Sequence, residues 1–228
     1  MSAIRSLIVF AVFCCSVSPV VAKPHAYELA SSHCMIFFKL KHDGISYSYG
    51  MLQSPTGSIV NDPDNPAGCS FQVDVNVKTI VSGHPDRDKS LHGKDFFKAD
   101  KFPVLSFKST QVRAIGEKSE KRYAMSGMLT MLGVSKPVLV EIVEVGRGTS
   151  HDKPAIGFEG NFTFKRSDFG MNAYLDSLGD EISVMVSLEA GLADDQAAAE
   201  ILKRHAEMKK QPIVAVDAEP ADNPDTES

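Results

Sequence analysis

Alternation of apolar and polar side chains with a period of two runs from residue 35 to residue 190, and it constrains the fold more than any other feature of the chain. Phe71, Val73, Val75 and Val77 alternate with Gln72, Asp74, Asn76 and Lys78, the pattern of a strand with one face buried. Ile36, Phe38 and Leu40 alternate in the same way with Phe37, Lys39 and Lys41. The pattern returns at Leu105 and Phe107, at Tyr123 through Met131, and at Val138, Val140 and Ile142. It closes with Ile156, Phe158, Gly160, Phe162 and Phe164, then Ile182, Val184, Val186 and Leu188. A weaker strand from Leu52 to Val60 brings the expectation to about eight.

Turn formers separate these segments: Asp62-Pro-Asp-Asn-Pro-Ala-Gly68, Ala114-Ile-Gly-Glu117, Leu132-Gly133, Gly146-Arg-Gly148 and Leu178-Gly-Asp180. Short links between alternating strands give an antiparallel meander, and the lack of helices between strands excludes a doubly wound α/β sheet. A sheet of this size with one apolar face buries it by closing into a barrel or by splitting into a sandwich. Residues 83–103 interrupt the run with a polar stretch carrying Leu91, Phe96 and Phe97, read as a short helix and loop whose aromatics plug the core.

The ends differ from the middle. Arg5 followed by an apolar core from residue 6 to residue 18, with Ala22 and Val20 at the cleavage positions, reads as a signal peptide over 1–22. A periplasmic or secreted protein starting near Lys23 is therefore expected, with no transmembrane segment after cleavage. Residues 23–192 form the expected domain, and Asp194-Asp195 cap an amphipathic helix over 193–210. That helix reads as a weakly docked appendage or as the cover of a barrel mouth. Residues 211–228, rich in Pro, Asp, Glu and Ala, read as a disordered acidic tail.

Charge excludes one class of partner. Residues 193–228 hold 9 acidic and 4 basic residues, leaving residues 23–192 at 20 acidic and 19 basic, with no basic face for nucleic acid. Cys14 and Cys15 leave with the leader; Cys34 and Cys69 remain, either bridged in an oxidising compartment or buried as separate thiols. No metal site and no cofactor are expected, because the cysteines lack partner ligands at short spacing. Histidines 33, 42, 84, 92 and 151 show no HxH or HExxH spacing, and no GxSxG nucleophile accompanies them, so no catalytic residues are assigned.

Several residues, in order, resemble the YceI-like family of exported lipid-binding proteins. Tyr27, Ser31-Ser32, Ile36-Phe-Phe38, Lys41-His42 and Gly50 come first. Asp62-Pro63, Thr79-Ile80, Ser82-Gly83, Arg87-Asp88, Asp95-Phe96-Phe97 and Phe102-Pro103 follow. Phe107-Lys-Ser-Thr110, Gly127-Met-Leu-Thr130, Gly133-Val-Ser-Lys-Pro-Val138, Arg166-Ser-Asp-Phe-Gly170 and Gly179-Asp180-Glu181 complete the series. The compressed stretch after Gly170 and the tail beyond Ala193 depart from the family pattern.

The resemblance implies an all-β, eight-stranded antiparallel lipocalin-like barrel whose tunnel holds a polyisoprenoid or another long-chain amphiphile, such as an isoprenoid quinone. Alternation and resemblance together nominate Ile36, Phe38, Leu40, Val73, Val75, Phe107, Met125, Leu129, Val140, Phe158, Phe162 and Val184 as the lining, with Gly127 and Gly160 as places where room opens. Arg87 and Arg166 are candidates for a polar head group, or for fixing loops through neighbouring aspartates. A filled core would instead suit a stress-response or interaction module acting through its surface. A homodimer is left open by the sequence.

Overall fold

The computed structural model describes residues 23–210; the leader and the acidic tail expected at the two ends lie outside the described residues. In chain order the elements are β1 (His25–Leu29), β2 (Met35–His42), β3 (Ser46–Gln53), β4 (Thr56–Asn61), β5 (Ser70–Asn76), β6 (Ile80–Val81), α1 (Pro85–His92), β7 (Val104–Ile115), β8 (Arg122–Met131), β9 (Val134–Ser150), β10 (Lys153–Lys165), β11 (Glu181–Leu192) and α2 (Asp195–Met208).

The eleven strands occupy eight positions of a closed antiparallel barrel. Three positions are bent strands, each broken once. A 3-10 turn at Ser31–His33 divides β1 from β2, Ser54 at φ 53° followed by Pro55 divides β3 from β4, and a 3-10 turn at Val77–Thr79 divides β5 from β6. Each half keeps its neighbour: β1 pairs β4 while β2 pairs β3, and β4 pairs β5 while β3 pairs β6. Closure comes from β11, which pairs β1 through Tyr27↔Leu192 and β2 through Phe38↔Val184. A closed ring of this kind removes most of the free edges at which sheets aggregate.

The departures from the sequence reading have local causes. Strand β1 is only five residues long, too short to show a period. The single weak strand expected from Leu52 to Val60 is two strands, because Ser54-Pro55 breaks it. Gly146-Arg-Gly148 is not a turn: β9 continues to Ser150, and the chain reverses at His151-Asp152, both at positive φ (49° and 60°). What the glycines accompany is a bulge at Gly157/Phe158, where Val145 is skipped by the ladder and is 70% exposed. Leu132-Gly133 is a two-residue hairpin turn with both residues at positive φ, the conformation that such a loop needs to match strand twist.

Helix α2 corrects the expectation of a weakly docked appendage. Its N-cap Asp194 accepts a hydrogen bond from the Ala197 amide at 2.9 Å, and Ile201, His205 and Met208 are buried. The helix lies across β1, β4 and β5 on the outside of the barrel, with Ile201 packed against Ala26 and Val60. Those strands carry Ala26, Ser58, Val60 and Ser70 on that side, small or apolar residues that leave a bed for a helix. Its last turn is tied down by Lys209, whose ammonium donates to the carbonyls of Ala67 and Gly68 at 2.8 Å each.

The two ends of the barrel are closed differently. At the end near α2, the inward Glu144 carboxylate, 1% exposed, accepts from Arg147 and Lys121 at 2.7 Å each. Arg147 also donates to the Asn61 side chain at 2.8 Å. Burial works to raise the Glu144 pKa, but these hydrogen bonds outweigh it and hold the carboxyl below its usual range. The opposite end is capped by irregular chain: residues 82–103 with α1, and residues 166–180.

Candidate functional site

Every second side chain of an antiparallel barrel points inward, so the alternation read from the sequence becomes one continuous lining. Here it encloses a cavity of about 140 Å³. Ile36, Phe38 and Leu40 of β2, Val73 and Val75 of β5, and Phe107 of β7 reach it. So do Met125 and Leu129 of β8, Val140 of β9, Phe162 of β10 and Val184 of β11. Phe158 does not: it is buried against Phe71, edge to face with ring centroids 5.1 Å apart, and it belongs to the packing around the cavity rather than to its surface.

The insertion supplies residues that strand alternation cannot find. Leu91 of α1 with Phe96 and Phe97 close the capped end of the cavity, as the plug reading expects, and Met171 joins them from the loop after β10. The signal for the first three was an apolar trio inside an otherwise polar stretch. Among the described residues lining the cavity, only Ser106 and Arg166 have polar side chains.

The glycines act differently from the expectation. The Phe107 ring lies directly over Gly127, so the space a missing side chain leaves there is already occupied by an aromatic. Phe38 covers Gly50 in the same way, from the position opposite in the β2–β3 register. A Cβ at Gly160 would sit 3.0 Å from Val186 and 3.3 Å from Val140, so this glycine lets two lining residues approach each other.

Neither arginine pairs with an aspartate. Arg87 lies on exposed α1 and donates to the Ser82 hydroxyl at 2.8 Å and to the Ser82 carbonyl at 2.6 Å. It pins the start of the insertion and does not reach the cavity, so of its two readings the loop-fixing one is seen, through Ser82 rather than an aspartate, and the head-group one is not. Arg166 does line the cavity and is 1% exposed. Its guanidinium donates to the carbonyls of Gly179 (3.0 Å), Met171 (3.0 Å), Ala173 (2.8 Å) and Leu178 (2.7 Å), tying residues 171–179 to the barrel end. Burial pulls its pKa down and nearby Asp180 opposes that, yet an arginine stays charged under such conditions. Asp180 itself accepts from the Ser167 amide and hydroxyl, at 2.9 and 2.7 Å.

The cysteines are not bridged. Cys34 donates to the Glu189 carbonyl at 3.3 Å and accepts from the Glu189 amide, while Cys69 is held by the Asp62 backbone and the Asn61 amide. Each thiol has its own partners at a different place on the barrel, so of the two readings left open by the sequence the separate buried thiols are the one seen. Burial pushes both thiols up in pKa, the direction that favours the thiol over the reactive thiolate. Among the described residues, no three His, Cys, Asp or Glu side chains converge as a metal site would require, and no helix is long and apolar enough to cross a membrane.

Comparison with known proteins agrees with this architecture. A UPF0312 protein of Pseudomonas aeruginosa is 33% identical over 173 residues, covering 74% of this chain and 87% of the relative. A UPF0312 protein of Yersinia pestis is 34% identical over 170 residues, covering 74% and 86%. Among solved structures, the YCEI protein of Campylobacter jejuni superposes with a TM-score of 0.59 at 29% identity, covering 66% of this chain and 88% of its own. BcnA of Burkholderia cenocepacia gives 0.64 at 21%, covering 71% and 98%. A polyisoprenoid binding domain from Saccharophagus degradans gives 0.58 at 14%, covering 74% and 99%, a likeness of fold. Residues 27–190 match the YceI-like domain, and the chain belongs to that family.

Proposed function

We propose that the protein is an exported carrier, acting in the periplasm or outside the cell, that holds the apolar chain of an isoprenoid or acyl lipid inside its barrel and performs no chemistry on it. The observation that carries this reading is the cavity: some two dozen residues surround it, and apart from Ser106 and Arg166 their side chains are apolar. An interior of that composition offers a ligand burial and almost nothing to react with. The fold shared with a polyisoprenoid binding domain supports the same reading.

Magnitudes define what the site asks of its ligand. Each methylene moved from water into such a lining contributes about 0.8 kcal/mol, so a chain of roughly 20 carbons binds well even after the loss of its own freedom is deducted. The cavity of about 140 Å³ is near the size of engineered apolar cavities, about 150 Å³, that stay dry and take up one benzene. It accommodates a segment of such a chain as it stands. A whole chain requires the flexible or aromatic lining, Met125, Phe96 and Phe97 above all, to move to other rotamers.

The test uses a conjugated polyene fatty acid whose fluorescence rises in an apolar site. The protein should take it up with saturable stoichiometry, and a long-chain isoprenoid alcohol should displace it. Leu129→Asp places an unpaired carboxylate against the chain, at a cost of several kcal/mol, and should abolish uptake. A folded wild-type protein that takes up none would favour a module acting through its surface.

A further inference from the structure

The barrel wall is not hydrogen-bonded all the way along. Strands β9 and β10 pair from Lys153↔Ser150 to Asn161↔Glu141, and there the ladder stops. Beyond that point β9 continues on β8 as far as Met131↔Val134, and β10 continues on β11 as far as Lys165↔Glu181. Residues 134–140 and 162–165 therefore border a seam with no ladder across it. Pro137 lies in this stretch, a residue without an N–H that sheets tolerate at edges and bulges. The 3-10 turn Arg166–Phe169 packs against β9 here, and buried Phe169 meets Phe164 edge to face at 5.4 Å.

Outside the seam lies a groove of about 1100 Å³, bordered by Leu139, Thr163 and Lys165 among others. Phe38, Phe162, Phe164 and Val184 line both this groove and the inner cavity. One layer of side chains thus separates the interior from water, at the place where the wall has no ladder to break.

We propose that the seam between β9 and β10 is the portal through which the cargo chain passes, with Phe164 the side chain that swings aside and the polar head left in the groove. The proposal rests on the carrier reading and adds the route. A portal in the wall lets the apolar chain slide in sideways while its head stays hydrated beside Lys136, Asn161 and Lys165, so no polar group crosses the apolar interior. Parting β9 from β10 here costs no ladder hydrogen bonds, whereas any opening between β8 and β9 or between β10 and β11 at the same height does. The competing route, through the capped end, is obstructed by structure that is bonded in place. Phe96 stacks on Tyr174 at 6.1 Å, the Phe97 amide donates to the Leu91 carbonyl, and the Ala99 amide donates to the His92 carbonyl.

The experiment loads the full protein with the polyene fatty acid and follows its release into excess phosphatidylcholine vesicles by stopped-flow fluorescence, together with uptake. Phe164→Ala should speed uptake and release together, by about tenfold, as removal of a gating side chain does. Thr163→Trp, a change at an exposed position on the groove side, should slow both. Tyr174→Ala, which removes the exposed ring stacked on Phe96 at the capped end without touching the cavity lining, should leave the rates within about twofold of wild type. Faster exchange in Tyr174→Ala, with wild-type rates in the two seam variants, would overturn the portal. Should Phe164→Ala fail to fold, Thr163→Trp decides alone, and unchanged rates count against the seam. A wild-type protein that binds no polyene overturns the carrier reading and the portal with it; wild-type binding with indifferent seam variants overturns only the portal.

Discussion

His205 of α2 and Ser70 of β5 lie 2.6 Å apart, ring Nδ1 to hydroxyl, in the contact between the C-terminal helix and the outside of the barrel. The other ring nitrogen meets the Ser58 hydroxyl at 2.9 Å, and the residue is 2% exposed. Two hydroxyls satisfy a neutral imidazole, since each can donate or accept, but among the described residues no carboxylate pairs with His205 to stabilise an imidazolium. Burial, followed by the charges of Arg204 and Lys209, lowers its pKa from 6.5 to about 4.

The helix contact should therefore weaken in acid. A histidine whose pKa is depressed in the docked state binds fewer protons there than when undocked, so stability is fully present above about pH 6.5 and falls as pH drops toward 4, by up to about 3 kcal/mol. Thermal unfolding followed between pH 8 and pH 4 should show this loss, and His205→Gln should flatten the part of the profile that His205 contributes. An unchanged profile in that variant would place the acid sensitivity elsewhere.

Truncation after Leu192 should be costly. It removes Ile201 and Met208 from buried positions, each contributing roughly 1.5–3 kcal/mol, and exposes Ala26 and Val60 beneath them. Chemical denaturation of the truncated chain is expected to show a loss of about 3 kcal/mol or more. A chain that unfolds at the wild-type midpoint would mean that the helix contributes nothing to the domain.

Arg166→Lys tests the role of the guanidinium at the barrel end. A lysine has three donors in a different geometry and cannot serve four carbonyls held in a planar fan. Leaving buried carbonyls unpaired costs about 1–3 kcal/mol for each. The variant should lose several kcal/mol of stability, and residues 171–179 should gain protease sensitivity; wild-type stability would show that the fan is not needed.

Thiol titration of denatured, unreduced protein beginning at Lys23 should find two free thiols, Cys34 and Cys69. Finding none would show that Cys34 and Cys69 are bridged instead.

Much of this architecture was legible because a barrel interior repeats one rule along every strand. Alternation placed Phe38, Val75, Phe107, Leu129 and Val184 on one side, and all of them face the cavity. What escaped was set by contacts distant in sequence. Whether α2 docks depends on Ala26, Ser58, Val60 and Ser70 forming one bed, and no local pattern joins those positions to residues 195–208. Phe158 shares the inward phase of Phe162, yet it packs edge to face on Phe71 and does not reach the cavity surface, and which inward side chain meets another ring has no signature in a period of two. Arg87 and Arg166 look equivalent in the sequence, each one or two residues from an aspartate. Only the fold shows that one pins Ser82 at the surface and the other is buried at the cavity.

Whether the barrel holds a lipid chain is read by native mass spectrometry of protein purified from the cell without detergent. The expected species is heavier than the polypeptide by the mass of one long-chain lipid, lost on organic extraction and absent from Leu129→Asp that has kept its strand content. A wild-type spectrum showing only the bare polypeptide, both as purified and after incubation with isoprenoid and acyl lipids, would contradict the carrier reading.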